Sequence, residues 1–252
     1  MSTALFVSPH LDDVAFSCGG TLAALKAKGW TVGLITVFTR SVPEPRGFAL
    51  RCQTAKGLGP EVDYMALRRE EDQAFAKRLG VDILAWGDLE EAPHRGYASA
   101  EALFQPPRVD DAIEASVARC LRPVLWELKP DRVFVPQALG SHVDHVHVVR
   151  AVRGLGIASN RVFYYRDTPY AVRQPDAKPD AALPRGLRPL AVDITEHLMT
   201  KVEGCLCYGT QLGFQFGGAE GVARMLHAFH RREAEAHGRT GAAEVFLTEG
   251  VG

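Results

Sequence analysis

The chain has 252 residues, of which 46% are hydrophobic, so it can bury a substantial core as one large domain or two small ones. Its 29 basic and 30 acidic side chains leave a formal charge of -1, which argues against a protein that binds nucleic acid or an anionic membrane. The composition favours a small-molecule substrate as partner, and it is compatible with a homo-oligomer.

The N-terminus carries no basic segment, apolar signal core or small-residue cleavage site, which predicts a cytoplasmic protein. No transmembrane segment is expected, because the longest uncharged run, Gly204 to Ala219, is shorter than the ~20 apolar residues of a membrane helix. The five cysteines are scattered and lack the Cys-x-x-Cys pairs of structural zinc sites, so we expect them to be reduced and buried.

The first predicted elements form a strand-helix-strand unit. An apolar strand begins near Ala4, a helix spans Leu22 to Lys28 and ends at Gly29, and a second strand spans Thr31 to Phe38. This unit is short enough to be a right-handed parallel crossover, from which doubly wound sheets are built.

The same alternation continues to the end of the chain. Further strands are predicted at Val81–Ala85, Arg132–Val135, Arg161–Tyr165, Leu190–Asp193 and Ala243–Leu247. Further helices are predicted at Met65–Leu79, at Asp110–Glu127 with a bend or end at Pro123, from His142 to about Arg153, at Thr195–Cys207 and at Gly221–His237. Loops are predicted at Arg40–Asp63, Trp86–Pro107 and Gly209–Gly218. The pattern predicts one α/β domain over residues 1–252, a three-layer Rossmann-like fold with a mainly parallel sheet and helices on both faces.

Two clusters of imidazole and carboxylate side chains follow predicted strands: His10, Asp12 and Asp13 in the first, and His142, Asp144, His145 and His147 in the second. The carboxyl ends of parallel strands share one edge of a sheet, so the two clusters should lie together. A divalent metal ion used for hydrolysis takes about three such ligands and leaves a position for water. The paired clusters therefore favour a metal site.

Spacing narrows the choice of ligands, because residues three apart in a first helical turn lie on one side. His10 pairs with Asp13 in this way, and His142 pairs with His145. If the first pair and one histidine of the second hold the metal, Asp12 is free to act as general base. Taken alone, the first cluster is better explained by a helix cap and a packed histidine, and the second is equally well explained in this way. The occurrence of both clusters at strand ends is what favours a metal site.

These residues resemble a known family. The segment PHLDD at residues 9–13, the GGT at 19–21 and the HVDH at 142–145 are similar to the motifs of the PIG-L-type, LmbE-like de-N-acetylases, which include N-acetylglucosaminyl-phosphatidylinositol deacetylase. The resemblance covers about half the chain. Many members have proline where this chain has Leu11 and Val143, and the segments Arg40–Asp63, Trp86–Pro107 and Leu212–Gly252 match no family motif. Those segments are expected to select the substrate.

The resemblance implies a role for each motif residue. His10, Asp13 and His145 would be metal ligands, and Asp12 would be the general base. His142 would stabilise the oxyanion or protonate the leaving amine, with Asp144 as its orienting partner. The implied metal is Zn²⁺, although a His-Asp-His set also suits Fe²⁺ and other divalent transition metals. The implied reaction is hydrolysis of an N-acyl group, with N-acetyl as the expected group, on an amino sugar or related small amide.

Arg51 and Arg166 are predicted to contact the substrate, since a hydroxyl- or phosphate-bearing ligand needs fixed donors at the mouth of the site. Two alternatives to the de-N-acetylase hypothesis stay open. One is a metal-dependent hydrolase of another amide or an ester, and the other is a non-catalytic sugar or nucleotide binder on the same fold. The carboxylate of Asp12 argues against the binder, which has no need of a spare base beside the metal.

Overall fold

A computed structural model of the chain describes residues 1–249, so the last three residues of the predicted domain, 250–252, lie outside the described residues. The strands are β1 (Thr3–Ser8), β2 (Thr31–Phe38), β3 (Ile83–Leu89), β4 (Arg132–Pro136), β5 (Val162–Tyr165), β6 (Arg188–Asp193) and β7 (Ala243–Thr248). They form one sheet in the order β3-β2-β1-β4-β5-β7-β6. Strands β1 to β5 pair in parallel, whereas β7 runs antiparallel to both β5 and β6.

Helices cover both faces of this sheet. They are α1 (Asp13–Ala27), α2 (Gly47–Thr54), α3 (Tyr64–Leu79), α4 (Ile113–Leu128), α5 (Val143–Arg153), α6 (Tyr170–Arg173), α7 (Leu198–Cys205), α8 (Gly209–Phe216) and α9 (Ala219–Ala236). Successive side chains of β1 enter two different cores, because side chains of a strand alternate between its faces. Phe6 packs with α1, α3, α7 and α9, and Leu5 packs with α4 and α5. The predicted three-layer α/β fold with a mainly parallel sheet is confirmed.

The opening helix α1 begins at Asp13, well before the predicted start at Leu22, and it is interrupted at Cys18. The break frees backbone N–H groups, and the carboxylate of Glu244 accepts from the N–H of Gly20 at 3.0 Å and from that of Thr21 at 2.7 Å. Lys201 balances this buried carboxylate, with its Nζ 2.7 Å from Oε1 of Glu244. A side chain at Gly20 would meet Ile194 and Glu244 at 2.8–3.0 Å, so the close approach requires glycine.

Two segments that were predicted to be loops contain helices. The Arg40–Asp63 segment includes α2, and the Gly209–Gly218 segment is mostly α8. The α8 helix is held by a contact between distant parts of the chain: Glu71 accepts from the backbone N–H of Thr210 at 2.7 Å. Such a tertiary cap leaves no local sequence signal. Helix α4 continues through Pro123 to Leu128, so the helix does not end at this proline.

Within residues 1–249, none of the helices has the length and apolarity that a bilayer crossing requires.

The buried Lys201–Glu244 pair generates a stability prediction. Both side chains are at most 1% exposed, so removing one partner leaves an uncompensated buried charge. We expect Lys201→Met to lower the free energy of unfolding by about 3–5 kcal/mol. The exposed pair of Arg78 with Glu203 is the matched control, and Arg78→Met should cost no more than about 1 kcal/mol. Chemical denaturation measures both, and equal losses would contradict the prediction.

Candidate active site

The site lies at the carboxyl edge of β1, β4 and β5. From β1 the chain adds β2 and β3 on one side of the sheet and then crosses to add β4 and β5 on the other side. The strand order therefore reverses between β1 and β4. Such a switch point leaves a crevice at the strand ends. The loop after β1 and the start of α1 carry the 10–13 cluster, and the loop after β4 and the first turn of α5 carry the 142–145 cluster. Leu11 and Val143, at which the two motifs depart from the resemblance, are buried and do not prevent the clusters from meeting.

Three potential ligand atoms form a small triangle. Oδ2 of Asp13 lies 3.2 Å from Nδ1 of His10 and 3.2 Å from Nε2 of His145, and the two nitrogens are 3.3 Å apart. Tetrahedral zinc with bonds of about 2.0–2.1 Å holds neighbouring ligand atoms about 3.3 Å apart. The donor set and its spacing therefore fit a divalent transition metal ion.

The nitrogens of these histidines that face away from the triangle are fixed by buried carboxylates. Nε2 of His10 lies 2.9 Å from Oδ2 of Asp144, and Nδ1 of His145 lies 2.6 Å from Oδ1 of Asp167. A carboxylate behind a ligating histidine sets its tautomer and ring orientation. Arg95 balances Asp144 with a 2.8 Å contact to the other oxygen, Oδ1.

The role predicted for Asp144 is wrong in its detail. Its carboxylate orients His10, not His142. The backbone N–H of Asp144 is the group that reaches His142, donating to Nδ1 at 3.3 Å.

Protonation in the triangle follows from these contacts. Burial lowers the pKa of His145, but the carboxylates of Asp13 and Asp167 outweigh it and raise that pKa to about 9. The pKa of His10 is likewise raised, against its burial, by Asp13 and Asp144. Conversely, these histidines hold the pKa of Asp13 well below its usual range, despite burial. Protons shared between ligand atoms are those that metal binding displaces.

His142 differs from the other two histidines. Donor atoms of His10, His142 and His145 all lie within 4.8 Å of one another, so these three could also be considered a ligand set. However, Nδ1 of His142 already accepts a hydrogen bond, which places the proton of the neutral ring on Nε2. Burial and the charge of His10 lower the pKa of His142 to about 3, so the ring is neutral. It offers an N–H donor, not a ligand lone pair.

Asp12 is buried beside the triangle in a backbone conformation with φ of 149°, which L-residues rarely adopt. Such strain is typical of functional positions. Its Oδ2 lies 3.4 Å from Arg68. Burial raises the pKa of Asp12 to about 7, against the lowering effect of Arg68. A carboxylate with a pKa near neutrality is suited to exchange protons as a general base.

Comparison with known proteins shows the family of the chain. Residues 5–155 match the PIG-L family, described as GlcNAc-PI de-N-acetylase. The chain belongs to the PIG-L family.

Among its relatives is the 2'-N-acetylparomamine deacetylase of Streptomyces fradiae, which is 37% identical over 215 residues, covering 82% of this chain and 72% of that protein. Two solved structures are of a teicoplanin deacetylase, each 25% identical. Its zinc-inhibited form has a TM-score of 0.81 and covers 98% of this chain and 97% of that chain. Its complex with teicoplanin has a TM-score of 0.82 and covers 98% of both. This PIG-L protein is therefore a hydrolytic de-N-acetylase, and the non-catalytic alternative is not supported.

A cavity of about 290 Å³ opens above the triangle. Polar or charged side chains of its wall, beyond the motif residues, are Lys56, Tyr64, Arg68, Glu91, Tyr170, Arg173, Gln211 and Gln215. The phenylalanine side chains of its wall are Phe16, Phe48, Phe104 and Phe214. Amino sugars suit such a mixture, in which rings pack on apolar walls and hydroxyls meet fixed polar groups.

Neither arginine predicted as a substrate contact is among the residues lining this cavity. Arg51 donates to the backbone carbonyl of Ala98 at 3.2 Å. Nη1 of Arg166 donates to both carboxylate oxygens of Glu233, at 2.9 and 3.0 Å. Both guanidinium groups thus form contacts outside the cavity. The basic residues that line the cavity are Lys56, Arg68 and Arg173.

Sequence reasoning missed two groups of site residues. Asp167 had a usable signal, because it follows β5 as the two clusters follow β1 and β4. The second group consists of residues in segments without a clear hydrophobic period, and only that irregularity pointed to them: Lys56, Arg173 and Gln215. His147, which lies outside the matched motif, sits 3.3 Å from Asp111 instead of joining the triangle.

The contact between Asp167 and His145 can be tested through metal affinity. Asp167→Asn removes the charge behind His145, and loss of such an outer partner typically costs 10–100-fold in affinity. We expect a loss of about that size in titrations of the metal-free protein with Zn²⁺. Asp72→Asn is the matched control, since Asp72 is equally buried but contacts Thr36, Trp86 and Tyr208. Similar affinities for the two variants would contradict the assignment.

Proposed function

We propose that the protein hydrolyses the N-acetyl group of a small amino sugar or amino-sugar conjugate, with His10, Asp13 and His145 as ligands of a divalent metal ion. The observation that carries this proposal is the 3.2–3.3 Å triangle of ligand atoms with Asp12 and His142 beside it on the cavity wall. The acetylated substrate named for the Streptomyces fradiae relative, 2'-N-acetylparomamine, supports the amino-sugar class.

Zn²⁺ is the proposed metal, and the two-nitrogen, one-oxygen donor set also suits Fe²⁺. When bound, such an ion lowers the pKa of water and polarises a carbonyl oxygen.

The protein's own residues account for the proton transfers. Asp12 accepts a proton from the attacking water while the water oxygen forms a bond to the acyl carbon. The Nε2–H of neutral His142 donates to the oxygen on which negative charge develops. Asp12 then returns its proton to the nitrogen as the C–N bond breaks, which releases acetate and the free amine.

The ligand assignment predicts which variants lose metal. Protein purified without metal supplements should lose its bound metal in an Asp13→Ala, His145→Ala double variant. His142→Ala should retain wild-type metal content, because His142 presents an N–H to the cavity. Elemental analysis measures both. Wild-type content in the double variant, or metal loss in His142→Ala comparable to that of the double variant, would show that the ligand set is wrong.

The base assignment predicts a loss of turnover without a loss of metal. General-base catalysis contributes about 10²–10⁴-fold, so Asp12→Asn should lower kcat by a factor in that range. Acetate release from N-acetylglucosamine and its glycosides measures this effect. Metal content and thermal unfolding of the variant should match those of the wild-type protein. Undiminished turnover in Asp12→Asn would exclude Asp12 as the base.

A further inference from the structure

Four aromatic rings form a closed cycle beside the ligand triangle. The centroid of the Phe104 ring lies 5.4 Å from that of His142 and 5.8 Å from that of Tyr170. The centroid of the His145 ring lies 5.3 Å from that of His142 and 5.8 Å from that of Tyr170. Phe104, His142 and Tyr170 line the cavity. The cycle is therefore a wall of the cavity that adjoins both the triangle and His142, and we call it the ring wall.

The surroundings of the ring wall are apolar. Leu103, which precedes Phe104, and Pro169, which precedes Tyr170, also line the cavity. The Tyr170 ring packs against a buried apolar cluster. A substituent of the substrate that lies along this wall therefore meets mostly carbon atoms, which favours a substituent that is itself apolar.

Polar groups of the cavity gather instead around Asp12. Arg68 lies 3.4 Å from Asp12 and 2.7 Å from Glu91. Its guanidinium lies over the Tyr64 ring, and the Tyr64 hydroxyl accepts a hydrogen bond from Gln211 at 2.8 Å. All five side chains line the cavity. These polar groups are linked to the proposed base, whereas the aromatic rings adjoin His142.

The proposed mechanism fixes how an amide lies between these two groups of residues. Asp12 returns a proton to the nitrogen, and Nε2–H of His142 donates to the oxygen, so the nitrogen faces Asp12 and the oxygen faces His142. The acyl carbon of an amide is planar, and its chain points away from the nitrogen. The acyl chain therefore points away from Asp12, as the oxygen does. The surface beside His142 is the ring wall.

Phe104 is placed to block a longer chain. It ends a short 3₁₀ turn (Ala102–Phe104) and is 39% exposed, whereas His142 and His145 are buried. Its ring packs over Gly140, where an added Cβ would lie 3.8 Å from the nearest ring atom. Phe104 is thus the outermost member of the ring wall. A chain longer than acetyl that extends along the wall toward solvent meets this ring.

We infer that the acyl chain of the substrate lies against the ring wall and that Phe104 limits its length, so that the cavity accepts N-acetyl and rejects longer N-acyl groups. The inference rests on the proposed de-N-acetylase function and adds to it a residue that determines specificity.

A series of N-acyl glucosamines tests the inference, because every member releases the same amine. The acyl groups are acetyl, propionyl, butyryl and hexanoyl, and released glucosamine is measured. One methylene group in a hydrophobic pocket alters kcat/KM by about 10–200-fold. We expect kcat/KM of the wild-type protein to fall by at least about tenfold between acetyl and butyryl. Equal kcat/KM for acetyl and hexanoyl would overturn the inference.

Truncation of the ring should relax this limit. In Phe104→Ala the ratio of kcat/KM for butyryl to that for acetyl should rise by at least about tenfold, and Phe104→Leu should give a smaller rise. The ratio is measured within one protein preparation, so a loss of folded protein leaves it unchanged. A uniform loss across the series in both variants would indicate that Phe104 only supports His142, and it would overturn the inference.

Phe214→Ala is the matched control. Phe214 is also a phenylalanine of the cavity lining, but it is 64% exposed, and its ring centroid lies 5.6 Å from both Nζ of Lys56 and Cζ of Arg173. The butyryl-to-acetyl ratio of this variant should stay at the wild-type value. A rise equal to that of Phe104→Ala would show that Phe104 does not set the limit.

Binding separates this inference from the function on which it rests. Calorimetric titration of Asp12→Asn protein, with and without Phe104→Ala, measures affinity for the same series without turnover. Weaker binding of longer acyl groups that Phe104→Ala relaxes, with no amine released by the wild-type protein from any member, would support the acyl limit and count against the proposed hydrolysis. Amine release with the same butyryl-to-acetyl ratio in wild-type and Phe104→Ala protein would do the reverse.

Discussion

The convergence of three parallel strands at one edge of the sheet is the constraint on which the rest of the site depends. Strands β1, β4 and β5 are neighbours, and each ends in a loop that supplies part of one cluster. The first two deliver the ligand triangle, and the third delivers Asp167 behind His145. Because the strands are fixed by a buried ladder, small displacements of a single ligand are resisted by the whole sheet.

Because the site is buried, each charged side chain in it needs a neighbour of opposite charge. Asp144 and Asp167 are nearly inaccessible to solvent, and an isolated carboxylate in such a place would be neutralised by protonation. Despite burial, Arg95 and His10 hold the pKa of Asp144 below its usual range, whereas at Asp167 His145 opposes the rise in pKa that burial causes. The same environment raises the pKa of Asp12, because burial outweighs the effect of Arg68, whose guanidinium also pairs with Glu91. The pKa values of the adjacent carboxyl groups of Asp12 and Asp13 are thus shifted in opposite directions, as their proposed roles require.

Sequence reasoning succeeded where the signal was local and failed where it was not. The βα alternation and the two polar strand ends are local patterns, and they predicted the fold and the residues that the structure brings together. In contrast, α8 is capped by Glu71, and the break in α1 is satisfied by Glu244, both far away in sequence. The partner of each histidine was missed for the same reason. Nothing local distinguishes Asp144 facing His10 from Asp144 facing His142.

The parts that were hardest to predict are also those that surround the substrate. Lys56 follows α2, Arg173 ends α6, and Phe214 belongs to α8, so the mouth is built from short helices outside the sheet. Their positions depend on side-chain contacts such as those of Arg173 with Gln215, not on strand pairing. Substitutions there can change charge and shape without moving the triangle. This separation explains physically how one sheet framework can serve deacetylases whose named substrates are as different as 2'-N-acetylparomamine and teicoplanin.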